Sequence, residues 1–139
     1  MKRTSEDILF SKYIRLRDNY TCQRCGSEHE PNSSGLHCSH YFGRSRKSVR
    51  WDDRNCVALC YGCHMVWGSK DREEYRQFMI DKLTQEGFDE LLLDSNTIKR
   101  WKKDELKQLR RELRNKIKYV ETDRCYQIHT HERDDAEQR

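Results

Sequence analysis

Cys22 and Cys25 form one Cys-x-x-Cys pair, and Cys60 and Cys63 form another. Each spacing puts two sulfurs on one tight turn, and zinc takes four thiolates in a tetrahedron. The two pairs together predict a structural zinc site that joins both halves of the chain. His64 follows the second pair directly, and His37, His40 and Asn55 lie in the interval between the pairs. Imidazoles exchange protons near neutral pH and ligate metals. The thiols would therefore brace the fold while the interval carries groups able to do chemistry. That interval is longer than a simple zinc ribbon needs, so a functional insert fits inside it. Cys38 and Cys56 read as small buried residues rather than ligands, and Cys125 receives no role.

These residues need elements to carry them. Thr4 followed by Asp7 is a hydroxyl cap with an acid three residues on, which predicts a helix over 5–18. "LHCSHYF" is short, aromatic and partly alternating, and reads as a strand; "GRSRKSVRWDDRN" is a polar loop. "CVALC" reads as a second strand, and "YGCHMVWG" enters a helix. On an extended strand, His37 and His40 should face opposite sides. Residues 71–83 suit a helix with Tyr75, Phe78 and Met79 inward; Gly87 interrupts, and 88–93 form a short helix. Ser95, Asn96 and Thr97 are cap residues for a final helix to about 119. Its apolar stripe of Leu106, Leu109, Leu113, Ile117 and Val120 is near heptad spacing. The stripe either packs on the domain or pairs with a second copy in a homodimer. The chain thus divides into a zinc-braced domain over 1–94, a basic helix over 95–120 and a polar tail over 121–139, expected to be disordered.

Hydrophobic content of 34% against 37% charged residues predicts a thin core, which strengthens the case for a metal brace. The seven cysteines, an odd number, fit a disulfide framework poorly. "MKRTSEDILF" is charged rather than apolar, and no stretch is long enough to cross a membrane. The expected location is cytoplasmic. Net charge is only +4, but its distribution is uneven. Arg44, Arg46, Lys47 and Arg50 crowd one short segment, with Arg54 just beyond, and a second basic run covers residues 99–118. Clustered cations are the footprint of a phosphate-backbone binder, and the first cluster is the expected DNA contact.

"LHCSHYF", a basic loop ending in "RWDDRN", and "ALCYGCH" resemble an HNH nuclease motif, with His40, Asn55 and His64 as its residues. The two Cys-x-x-Cys pairs match the zinc-braced HNH variants. "FSKYIRLRD", "CQRCG" and "YRQFM" resemble, more narrowly, the NinG/Rap recombination proteins of lambda-like phages. The resemblance implies an α+β fold: a ββα-metal core with flanking N- and C-terminal helices. It also implies metal-dependent hydrolysis of DNA in a phage-infected bacterial cell, with branched intermediates such as Holliday junctions or D-loops as substrate. Rival readings are a nonspecific or nicking HNH nuclease and a non-catalytic zinc-containing DNA-binding module. In the nuclease reading His40 takes the proton of the attacking water. His64, aimed by the zinc-anchored thiols, holds a divalent magnesium or manganese ion. Asn55 either orients His40 or ligates that ion, and His37 is a further candidate ligand. Two departures stand out. Ser39 occupies the place where many HNH sites have an acid or histidine, and Gly68 the place of a second helix histidine.

Overall fold

Thr4 opens α1 (Ser5–Arg17) with the expected capping box: its hydroxyl accepts from the Asp7 backbone N–H, and the Asp7 carboxylate accepts from the Thr4 N–H. After Asp18, Asn19 and Tyr20 adopt φ of 54° and 53° and turn the chain into the first thiol knuckle. The computed structural model describes the backbone of residues 1–137 and the side chains of residues 1–125. Strands β1 (Leu36–His40) and β2 (Cys56–Cys60) pair antiparallel, with Leu36 opposite Cys60 and His40 opposite Cys56. A 3-10 turn at Asp53–Asn55 leads into β2. Helix α2 (Tyr61–Met65) follows β2 without a break, and a π turn at Val66–Lys70 ends it.

The two-stranded sheet is covered on both faces. On one side, Val57 and Leu59 pack with Trp67, Tyr75, Met79, Phe88 and Leu91. On the other, Cys56 packs with Phe10, Ile14 and Leu113. β2 is therefore buried along almost its whole length, which explains why "CVALC" lacks polar alternation. Arg17 and Asp18 lash the end of α1 to β2: Arg17 donates to the carbonyls of Asp53 and Cys56, and Asp18 accepts from the Ala58 N–H.

Two boundaries differ from expectation. Helix α3 (Arg72–Ser95) breaks at Thr84, with φ of 69°, three residues before the glycine expected to interrupt it. The Thr84 hydroxyl accepts from the Gly87 N–H and so caps the second segment, a role that its neighbouring glycine cannot fill. Helix α4 starts at Lys103 rather than Ser95 and runs to Glu137, through most of the segment expected to be a disordered tail. No glycine or proline interrupts it. Part of the stripe considered for a homodimer packs within the chain. Leu113 and Ile117 are buried, α4 lies on α1, and Arg110 reaches Glu6 of α1. Leu113 and Ile117 thus form a seam between α4 and α1. No described helix is long and apolar enough to cross a membrane.

Candidate functional site

The first knuckle is a tight turn: Gly26, at φ of 77°, donates its N–H to the Cys22 carbonyl, a conformation suited to glycine. The second knuckle is the first turn of α2, where Cys60 is the N-cap and its sulfur accepts from the Cys63 N–H. The four sulfurs of Cys22, Cys25, Cys60 and Cys63 lie within 4.8 Å of one another, with Cys25 and Cys60 3.8 Å apart. A tetrahedral zinc with zinc–sulfur bonds of about 2.3 Å needs sulfurs about 3.8 Å apart. The cluster therefore fits a structural metal such as zinc. Arg24 reaches the Cys63 sulfur and adds positive charge beside it. Hydrogen bonds with Ser27, side chain first, lower the exposed Cys25 thiol to about 6, which favours the thiolate a metal binds.

His37, His40 and His64 line one cleft of about 720 Å³. His37 and His40 do lie at opposite parity on β1, as expected. Yet β1 has a neighbour on one edge only, and the cleft wraps its free edge. The His37 ring turns toward α2, where its Nδ1 lies 3.0 Å from Nδ1 of His64. His37 Nε2 lies 3.1 Å from the Ser34 carbonyl, an acceptor only, so Nε2 carries the proton and Nδ1 is bare. A separation of about 3.0 Å is also that of two adjacent ligands on an octahedral ion with bonds of about 2.1 Å. The pair can thus share a proton or hold a divalent cation.

His40 Nε2 lies 2.8 Å from the Arg50 carbonyl. The same logic puts its proton on Nε2 and leaves the Nδ1 lone pair free. Burial lowers the His40 pKa below the ordinary histidine value, and the charges of Arg44 and Arg50 add to this. Burial, then the neighbouring His37, lowers His64 as well. Both rings are neutral at neutral pH.

Asn55 makes its hydrogen bonds to the loop rather than to His40. It is fully buried; its amide donates to the carbonyls of Phe42 and Val49, and its oxygen accepts from the Phe42 N–H. It closes the loop 42–55 and thereby fixes the Arg50 carbonyl that orients His40. Ser39 points away from the cleft into the α3 face, where its hydroxyl lies 2.9 Å from the Tyr75 hydroxyl. Gly68 lies in the π turn beyond His64.

Among the expected DNA contacts, Arg44 lines the cleft, and Arg46 and Lys47 are exposed outside it. Arg46 also holds Asn96, at 2.7 Å, and lies over the Phe42 ring. Arg50 needs correcting. Only 7% exposed, it grips the buried Asp7, its Nε 3.0 Å from Oδ1. An arginine so engaged is a strut between α1 and the loop. Arg3 and Arg15 line the cleft instead. Arg15 was findable: Asp7, Ser11 and Arg15 recur every four residues and make a polar stripe on α1.

Asp7 also accepts from Trp51 Nε1 at 3.0 Å. Burial alone would raise its pKa, but the donors Arg50, Thr4 and Trp51 pull it far below the usual carboxylate range. The stabilisation is present above the unfolded-state value near 4 and is lost as pH falls toward the depressed one. Asp7→Asn leaves Arg50 buried without its counter-charge and should cost about 3–5 kcal/mol. Urea unfolding at neutral pH checks this; a cost below about 1 kcal/mol would show that the pair does not support the fold.

The family described as bacteriophage lambda NinG protein matches residues 4–123, which include the thiol cluster, the three histidines, Arg15 and Arg44. No curated protein and no solved structure matches the chain.

Proposed function

The chain belongs to the bacteriophage lambda NinG family, a phage recombination-related group, and from that premise we propose that it is a metal-dependent DNA endonuclease of HNH type. The observation that carries this reading is His40: its Nε2 is held by the Arg50 carbonyl, and its ring is neutral beside an arginine-lined cleft. The β1–β2–α2 order supports reading these elements as a ββα-metal core. His40 Nδ1 takes the proton of the attacking water. Arg3, Arg15 and Arg44 bind and orient the phosphate, whose negative charge grows as the bond breaks. His37 and His64 would hold a divalent magnesium or manganese ion, which when bound stabilises charge on the phosphate and its leaving oxygen. Asn55 positions the base through the loop it closes. The exposed Arg46 and Lys47 extend the cationic surface along the backbone of a duplex arm.

The test incubates the purified chain with a four-way junction and a matching linear duplex, in magnesium, in manganese and in EDTA. Metal-dependent cutting with the junction cut faster is the expected result. Equal rates on both substrates would favour a nonspecific nuclease. Binding without cutting in any metal would leave a zinc-braced DNA-binding module.

A further inference from the structure

Strand register brings a second set of soft ligands together. His40 pairs with Cys56, and Cys38 pairs with Ala58, so Cys38, His40 and Cys56 project from one face of the sheet. The two sulfurs and a His40 ring nitrogen all lie within 4.8 Å of one another. Cys56 is fully buried and forms a floor, while Cys38 and His40 line the cleft. The sequence alone reads both cysteines as packing residues. Packing does not require an imidazole beside two thiols, with the open side of the group facing solvent.

We propose that Cys38, His40 and Cys56 form a second metal site, distinct from the four-thiolate cluster, that takes a borderline or soft divalent ion and leaves its fourth position open to the cleft. Two thiolates and one imidazole are a donor set for zinc, cobalt or cadmium. Magnesium and calcium are hard ions that do not take thiolate ligands, and are excluded from it. Binding releases two protons, one from each thiol, and forms two metal–sulfur bonds with no change of oxidation state. Burial pushes the Cys56 thiol up, so the incoming ion itself must drive that proton off. The side chains of Arg17 and Lys82 reach the Cys56 carbonyl and place positive charge near the resulting thiolates. His40 Nε2 stays with the Arg50 carbonyl, so the ion takes Nδ1. That is the lone pair the proposed cleavage needs for water. Zinc at this site would therefore block cutting, a consequence that rests on the nuclease reading, whereas the site itself does not.

The experiment titrates cobalt into the full chain loaded with one equivalent of zinc and carrying Cys125→Ser, which removes the exposed thiol outside both clusters. Cobalt binds such sites less tightly than zinc, so it leaves the four-thiolate cluster occupied. The expected result is one equivalent of cobalt with thiolate charge-transfer absorption and the intense visible bands of a tetrahedral ion. Cys38→Ser should weaken that binding at least tenfold while zinc remains at one per chain. Cys56 is buried, and its replacement risks the fold, so Cys38→Ser and His40→Ala carry the comparison. Absence of the thiolate band, or an unchanged band in Cys38→Ser, would overturn the proposal. In the cutting assay, excess zinc should inhibit the parent and not Cys38→Ser. A chain that never cuts would defeat the nuclease reading, and the cobalt band would still decide the site.

Discussion

His40→Ala is expected to slow DNA cleavage by about 10²–10⁴-fold, the usual contribution of a positioned general base, with the zinc of the four-thiolate cluster and DNA affinity unchanged. The variant removes the ring whose Nδ1 is free and leaves the Arg50 carbonyl in place, because Asn55 holds that loop independently. Its ring meets Phe10 at a centroid distance of 5.9 Å, so some packing is lost with it. Thermal melting of the variant separates that effect from chemistry. The pH profile supplies a second readout. Burial and the nearby arginines lower the His40 pKa, so the base form dominates down to a pH below the ordinary histidine value. Cleavage should rise as pH climbs through that lowered value and stay flat above it. In Arg44→Gln, one source of the depression is gone, and the rising limb should move to higher pH. A rate unaffected by His40→Ala would sink the assignment of the base, whatever the metal dependence.

Cys60→Ser, or zinc removal by a strong chelator, is expected to abolish most of a domain stability of about 5–15 kcal/mol. Cys60 ends β2, caps α2 and lies in the sulfur cluster, so a single substitution touches strand, helix and metal together. Removing the ion would leave the clustered thiols to repel or protonate, and the start of α2 would lose its anchor. Trp67 follows on the π turn and stacks on Tyr75 with ring centroids 4.7 Å apart, so near-UV circular dichroism should report the loss. The expected result is release of one zinc per chain together with collapse of that signal. Retention of a cooperative melt without metal would mean that the hydrophobic clusters suffice and that the thiols are only packed together. The effect should also exceed that of Asp7→Asn, since the ion joins two segments whereas Asp7 ties one loop.

The thiol pairs, the capped first helix, the two strands and the turn from β2 into α2 are legible in the residues alone. These are local statements. A Cys-x-x-Cys turn, a capping box and a run such as "CVALC" carry their geometry within a few residues. His37, His40 and His64 could likewise be named in advance because imidazoles flanked by thiol pairs are chemically conspicuous.

What each of these groups touches depends on contacts made across the fold. Arg50 and Arg44 are alike in sequence, yet one is buried on Asp7 and the other lines the cleft; the difference is set by α1, more than thirty residues upstream. Asn55 stands within a quoted motif, but its partners Phe42 and Val49 become visible only when the loop closes. The free edge of β1 put His37 beside His64 despite its parity on the strand. The apolar stripe of α4 is compatible with a second copy or with α1, and its own spacing cannot distinguish them. Cys38 and Cys56 stand eighteen residues apart with no motif between them, and only antiparallel register sets both beside His40. Local spacing determines which groups a turn or helix presents; long-range packing determines which of those groups meet.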